Sequence, residues 1–163
     1  IINTKTYFGI GFDIHRLIKN KKLFLGGINI PFHSGLKGHS DGDVILHSII
    51  DALLGAMRKK DIGTFFPDNK NKFKNIRSPN MLKPIIEILN KNNFYINNLD
   101  INLICEQPKV SKYRDKILKS LSNLLKLDKD LINLKGKTVE KLGLIGKEKA
   151  IACEVIVSLN KHD

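Results

Sequence analysis

Two short stretches concentrate the residues that do chemistry. Gly38-His39-Ser40-Asp41-Gly42-Asp43-Val44-Ile45-Leu46-His47 carries two histidines, two carboxylates, a hydroxyl and two glycines just where an apolar helix is expected to begin. Upstream, Gly9-Ile10-Gly11-Phe12-Asp13-Ile14-His15-Arg16 adds an Asp and a His two residues apart, flanked by bulky apolar side chains as in a strand. On a strand that spacing puts Asp13 and His15 on one face. With His47 they make two imidazoles and one carboxylate, a set that suits zinc with its fourth position open to water or substrate. The bland alternative is an Asp13–His15 pair closing a strand end. His47 is four residues from Asp43 and from Asp51, and a carboxylate at either place is expected to orient it through its second nitrogen.

A second polar cluster is Lys137-Thr138-Val139-Glu140-Lys141-Leu142-Gly143. Glu140, at the expected end of a strand, offers oxygen to a hard cation bridging two phosphates, and the Thr138 hydroxyl can bond a phosphate oxygen. Residues 105–111, a strand end followed by Pro108 and Lys109, could bind a flat ring through main-chain groups; an ordinary strand-to-helix connection fits them too. His33 and His162 have no such neighbours, and no role is assigned to them.

Elements must hold these groups. Residues 7–15 read as a strand whose glycines allow close backbone approach. Gly9-x-Gly11 lacks the third glycine of a dinucleotide fingerprint, so that reading is rejected. Residues 23–25 and 28–30 flank Gly26-Gly27 as a hairpin ended by Pro31. Residues 32–42 form a polar, glycine-punctuated loop into a helix starting near Asp41 or Asp43, with Val44, Ile45, Ile49, Leu53 and Leu54 at helical spacing. A loop from Asp61 runs to Arg77; Ser78-Pro79 reads as a cap and first-turn proline opening a helix with Met81, Leu82, Ile85, Ile86 and Leu89 inward. Residues 99–105 read as a strand, 111–125 as an amphipathic helix, and 131–139 and 151–159 as strands separated by a turn at Gly143 and Gly146. The expected fold is α+β: a mixed four-stranded sheet with helices on one face, plus a small hairpin.

The 163 residues fit one domain, 1–163, and the 42% apolar and 27% charged shares place the chain among folded globular proteins with no membrane span. The net charge of +12 raises nucleic acid or polyphosphate partners. Lysine is scattered without interleaved aromatics, so solvated faces are preferred to a nucleic-acid footprint. Cys105 and Cys153 have no ligand spacing and sit in apolar stretches, as buried thiols in a reducing compartment do. The chain opens on Ile1, so an N-terminal piece, a targeting segment among the options, is expected to precede it.

Together these stretches resemble the 2-C-methyl-D-erythritol 2,4-cyclodiphosphate synthase family, lyases of the non-mevalonate isoprenoid pathway. The likeness runs in order through Gly9-x-Gly11-x-Asp13-x-His15-Arg16, Leu25-Gly26-Gly27 with Ile30-Pro31, and His39-Ser40-Asp41-Gly42-Asp43-x-x-x-His47. It continues through Asp51-Ala52-Leu53-Leu54-Gly55-Ala56, Asp61-Ile62-Gly63-x-x-Phe66-Pro67-Asp68, Pro108-Lys109, Thr138-x-Glu140-Lys141-Leu142-Gly143 and Ile151-Ala152-Cys153-Glu154.

The resemblance implies a homotrimer with interfacial active sites, zinc on Asp13, His15 and His47, and magnesium or manganese on Glu140 through a substrate diphosphate. It implies that 4-diphosphocytidyl-2-C-methyl-D-erythritol 2-phosphate is converted to the cyclic diphosphate with release of CMP. His39 and Thr138 take catalytic roles, and His39 and Ser40 meet substrate from a flap. Asp61, Ile62, Gly63, Phe66, Pro67, Asp68, Asn69 and Lys70 hold the sugar and methylerythritol parts. Cys105, Pro108, Lys109, Val110 and Ser111 form the cytosine pocket, with Lys137, Thr138, Val139 and Glu140 near the phosphates. Asp13 and His15 also face substrate.

Two departures stand out. Lys137-Thr138-Val139 replaces the run of threonines in many relatives, and Leu144 and Lys147 stand where relatives often carry Phe and Arg beside an axial cavity that accepts an isoprenoid diphosphate. Lysine keeps the charge there but not the bidentate fork. The Asn and Lys bias suits a plastid-type organelle, with a bacterial cytoplasm as the alternative. Rival readings are another metal-dependent phosphoesterase on the same scaffold and a lysine-driven nucleic-acid binder.

Overall fold

The computed structural model describes residues 4–162; residues 1–3 and 163 of the expected domain lie outside the described residues. The chain builds β1 (Thr6–Lys19), a hairpin of β2 (Leu23–Leu25) and β3 (Ile28–Ile30), β4 (Ser34–Leu36), α1 (Val44–Ala56) and a short α2 (Ile62–Phe65). After a 3-10 turn at Asn71–Phe73 come α3 (Ser78–Lys91), β5 (Phe94–Ile104), α4 (Val110–Leu125), β6 (Ile132–Lys137), a one-turn α5 (Gly143–Gly146) and β7 (Ala150–Lys161).

Glycine decides how β1 and α1 meet. A Cβ at Gly9 would fall on the Ala52 carbonyl oxygen and 2.6 Å from Ala56 N; one at Gly11 would fall on the Ser48 oxygen. Only bare backbone lets the helix lie this close. Because side chains alternate along a strand, Asp13 and His15 share the helix-facing side with those glycines, while Phe8, Ile10, Phe12 and Ile14 point the other way. Those four are 71%, 74%, 57% and 44% exposed, and with Ile156 of β7 at 51% they leave an apolar wall uncovered in the single chain.

Among the described residues the main sheet has five strands in the order β4-β1-β7-β5-β6, not four, and the hairpin stands apart as a two-stranded sheet. The extra strand is β4, whose Ser34, Gly35 and Leu36 pair antiparallel with Lys19, Ile18 and Leu17. Three residues containing glycine show no alternation, so the sequence pattern there gives a loop rather than a strand. β1 runs four residues past His15 to make that pairing. The sheet is mixed, since β5 and β6 pair parallel while β1–β7 and β5–β7 are antiparallel.

Leu99, Ile101, Leu103, Ile132, Leu134, Ile151, Cys153, Val155 and Val157 face inward from the strands and meet Ile45, Ile49, Leu53, Leu82, Ile85, Ile117 and Leu121 from the helices. At the far edge Val110 of α4 packs where a Cβ on Gly136 of β6 would lie 2.7 Å from it. Asp43 ties the hairpin to α1. Its side chain caps the helix through Leu46 N (3.1 Å) and accepts from Gly26 N (3.0 Å) and Gly27 N (2.7 Å). Burial, then the charge of Asp41, push its carboxyl up to about 6 against those three N–H bonds. No helix among the described residues is long and apolar enough to cross a membrane.

Candidate active site and metal centre

The close seat of α1 on β1 brings its second turn over the strand. His47 Nδ1 lies 3.0 Å from Asp13 Oδ2 and His15 Nε2 lies 2.9 Å from the same oxygen. One ligand atom from each of Asp13, His15 and His47 falls within 4.8 Å of the others, a spread that one ion bridging all three can close. Two imidazoles and a carboxylate are a donor set that suits a catalytic-type metal site, with coordination left for a further ligand. Burial pushes the Asp13 carboxyl up, but hydrogen bonds and charge from His15 and His47 outweigh it and hold Asp13 at about 2. The same pairing, helped by the Lys37 carbonyl, raises His15 above its ordinary 6.5 despite burial.

The groups that meet the second nitrogen of His47 are not the expected Asp43 and Asp51. Asp43 is spent on Gly26, Gly27 and Leu46, and Asp51 accepts from Ile62 N at 2.8 Å. His47 Nε2 instead meets Ser78 Oγ at 3.0 Å and Ser40 Oγ at 3.1 Å. Ser78 is the first residue of α3 rather than its cap; its hydroxyl donates to Asp41 Oδ1 and its backbone N–H to Asp41 Oδ2 at 2.9 Å. Arg77 Nε completes Asp41 at 3.0 Å while its guanidinium lies 3.9 Å over the Phe24 ring. These hydrogen bonds hold Asp41 below the ordinary carboxylate value although burial opposes them. Asp41, Arg77 and Ser78 were missed as site residues because nothing in the spacing of residues 41 and 78 announces their contact.

A cavity of about 270 Å³ opens beside the triad, lined by Asp13, His15, His39, Ser40 and His47 and closed by Ile62, Gly63, Phe66, Asp68 and Phe73. His39 Nε2 is buried there with no hydrogen-bond partner among the described residues, and the His39 carbonyl accepts from Asn75 N, tying residues 38–42 to the 61–77 loop. Pro67, Asn69 and Lys70 lie in that loop but do not line the cavity. Asp61, the N-cap residue of α2, accepts from Thr64 Oγ1 and lines a different hollow with Ile10 and Phe12.

A second cavity of about 260 Å³ is lined by Cys105, Pro108, Lys109, Val110, Ser111, Lys137 and Thr138. Glu106 and Arg114 also line it; Glu106 Oε1 accepts from Val139 N and Lys141 N at 3.1 Å each, pinning the turn after β6. Glu140 sits in that turn beyond the end of β6, at φ 55°, with Oε1 3.5 Å from Thr138 Oγ1. Val139 and Glu140 do not line the cavity. Leu144, 63% exposed, borders a hollow with Ile14, Arg16 and Lys149; Lys147 is exposed just after α5. Asp13 and Leu103 both pair with Cys153, so the two cavities open at one end of the sheet, their strands separated by β7 and hence by about 10 Å. They do not merge within one chain.

The bifunctional enzyme IspD/IspF of Pelagibacter ubique is 55% identical over 161 residues, 99% of this chain but 43% of that protein, so the chain spans under half of its length. The 2-C-methyl-D-erythritol 2,4-cyclodiphosphate synthase of Caldicellulosiruptor bescii is 44% identical over 149 residues, covering 91% of this chain and 95% of that one. Among solved structures, the IspF–CDP complex of Plasmodium falciparum superposes with a TM-score of 0.85 at 41% identity over 97% of each chain. The profile of one family matches residues 6–160, which take in the Asp13–His15–His47 cluster, both cavities and all but the last residue of the sheet's strands: the chain belongs to the YgbB family.

Proposed function

We propose that the chain is a 2-C-methyl-D-erythritol 2,4-cyclodiphosphate synthase, a lyase that converts 4-diphosphocytidyl-2-C-methyl-D-erythritol 2-phosphate to the cyclic diphosphate and CMP. The observation that carries this reading is the Asp13–His15–His47 triad at the mouth of a cavity bearing an unpartnered imidazole, in a chain 44% identical to a protein of that name.

Nucleophile and electrophile belong to one molecule. An oxygen of the 2-phosphate attacks the β-phosphorus, a P–O bond forms, the anhydride bond to the α-phosphate breaks, and its electron pair leaves with CMP. The protein must fold the substrate so that attack is in line, a positioning effect worth roughly 7–11 kcal/mol. Asp13, His15 and His47 would hold zinc, which supplies a Lewis acid and template for the phosphate oxygens. Glu140 would hold magnesium or manganese, its lone carboxylate leaving the remaining oxygens to the diphosphate and water. His39 and Thr138 face the reacting phosphates as hydrogen-bond donors, and Ser40 steadies the substrate from the same loop as His39. Ile62, Gly63, Phe66 and Asp68 receive the methylerythritol part; Pro67, Asn69 and Lys70 belong to that loop, and Asp61 fixes its start. Cys105 with residues 108–111 receives cytosine. Lys109, the N-cap residue of α4, makes no capping side-chain bond, leaving first-turn N–H groups for a ligand. The CDP bound in the Plasmodium relative supports a cytidine nucleotide in that role.

Each cavity is smaller than the roughly 300–1,000 Å³ that drug-sized ligands occupy, so one substrate needs both. We place the cytidine pocket of one subunit against the metal cavity of the next in a homotrimer, and the uncovered wall of Phe8, Ile10, Phe12 and Ile14 supports that assembly. Leu144 and Lys147 would then lie at the end of the trimer axis. The two named relatives from Pelagibacter and Caldicellulosiruptor are bacterial; a plastid-type organelle is not supported, and a bacterial cytoplasm is the consistent reading. No nucleic acid or membrane partner is needed.

Incubating the protein with the cytidylyl substrate, zinc and magnesium should yield the cyclic diphosphate and CMP in equal amounts. Release of inorganic phosphate without cyclic product would instead favour a phosphoesterase. His47→Ala should keep the fold and lose zinc and turnover; full activity in that variant would refute the triad's role.

A further inference from the structure

A neutral imidazole has one N–H and one lone pair, and a ligand histidine must turn the lone pair to the ion. For His15 the choice is simple: Nδ1 lies 2.7 Å from the Lys37 carbonyl, which can only accept, so Nδ1 keeps a proton, and in the neutral ring it is Nε2, the atom facing Asp13, that has the lone pair for an ion. His47 has no carbonyl partner. Its Nε2 faces two hydroxyls, Ser78 and Ser40, and a hydroxyl can donate or accept.

Ser78 has no such freedom. It is fully buried, and its single proton is committed to Asp41 Oδ1, whose carboxylate also takes Asp43 N at 3.1 Å, Ser78 N at 2.9 Å and Arg77 Nε at 3.0 Å. Toward His47 the Ser78 oxygen has only lone pairs left. Ser40, by contrast, merely accepts from Gly42 N at 3.3 Å, so its own proton is free and follows whatever His47 does.

We propose that Ser78, backed by Asp41, is a positioning residue that fixes His47 in the tautomer with its proton on Nε2, so that Nδ1 presents its lone pair to the metal. This rests on a divalent ion sitting among Asp13, His15 and His47. The relay joins three separated pieces of chain, the loop before α1, the start of α3 and α1 itself, and Arg77 fastens it to the hairpin through Phe24 and the Gly27 carbonyl. Metal affinity at β1 is thereby made to depend on a hydroxyl that touches neither ion nor substrate.

The test uses zinc alone on the full chain. In the zinc-loaded parent, 15N NMR of the imidazoles should find His47 protonated at Nε2 and metal-bound at Nδ1; zinc on Nε2 overturns the proposal without any variant. Ser78→Ala should weaken zinc binding about 10–100-fold in chelator competition, and Ser78→Thr, which keeps the hydroxyl, should restore it to within about threefold. A Ser78→Ala protein that binds zinc like the parent, or one that loses zinc only in proportion to a lowered melting temperature with the 15N signature unchanged, overturns it as well. These readouts need no substrate. Absence of cyclic product with the His47 signature intact would count against the proposed function alone, whereas a parent that takes up no zinc would overturn both.

Discussion

Gly11→Ala puts one methyl group between β1 and α1. A Cβ there would fall on the Ser48 carbonyl oxygen and lie 2.8 Å from its carbon and 2.9 Å from Ala52 N. Since non-bonded carbon contacts sit at about 3.5–4.0 Å, the helix must retreat by more than about 1 Å, and a backbone carbonyl cannot rotate aside as a side chain would. Overpacking of this kind costs roughly 1–3 kcal/mol, with the upper end expected for a backbone clash. His47 precedes Ser48 on that helix, so the same retreat draws Nδ1 off Asp13, and zinc sites tolerate only about 0.2 Å in their ligand distances. The variant should therefore unfold at lower urea and also bind zinc far more weakly, by at least the tenfold seen when a ligand's support is removed. Gly55→Ala is the control. Its Cβ would meet nothing closer than the Ile10 oxygen at 3.8 Å, and a helical Gly→Ala change is neutral or stabilising by up to about 1 kcal/mol. Urea melts of both variants and chelator-competition titrations decide the matter. Parent-like stability, within about 0.5 kcal/mol, together with parent-like zinc affinity in Gly11→Ala would refute the claim that glycine sets the ligand geometry.

Further outcomes are expected. Ile10→Glu places a carboxylate on the apolar wall, where burial in the proposed interface would cost several kcal/mol; sedimentation should fall from the proposed trimer to a monomer and turnover should vanish, and a trimer left intact by the change would remove β1 from the interface. In metal-free protein the Asp13 carboxyl is lowered from 3.8 to about 2, so its ionised form stabilises the fold above pH 3.8 by about 2 kcal/mol, lost as pH falls through about 2. His15 is raised above 6.5 by the same pairing, so its share is present below that pH and is lost as pH climbs past its folded value. Urea midpoints of the metal-free parent should therefore peak between these limits, and Asp13→Asn should flatten the profile. Burial pushes the Cys105 thiol up to about 11 and Cys153 higher still, so Cys105, which lines the second cavity, should react with a thiol reagent only slowly at neutral pH and Cys153 only after denaturation; prompt labelling of Cys153 in the folded protein would contradict its packing.

Local pattern determined much of this protein. Asp13-x-His15 on a strand and His47 one helix further on announced a cluster that could hold a metal ion, because side-chain period alone puts the first two on one face, and the motif order identified the family. Gly9 and Gly11 announced close backbone approach for the same reason. The helices α1, α3 and α4 and the inner strands followed from apolar spacing; the start of α1, open between Asp41 and Asp43 in the sequence, falls at Asp43 as its N-cap residue, while the short α2 and α5 lie in segments that read as a loop and a turn. Tertiary structure decided the rest. β4 is a strand only because Leu17, Ile18 and Lys19 stand ready to pair with it. The apolar wall on β1 was invisible as a surface, since alternation cannot say which face the helices will leave bare. The division of the site into two cavities depends on β7 inserting between β1 and β5. The partners of His47 Nε2 proved to be Ser40 and Ser78, the latter 31 residues away, rather than the carboxylates one helical turn to either side. Spacing reports which side chains share a face of one element; which hydroxyl meets which imidazole across elements is set by how the helices stack, and only the folded chain carries that information.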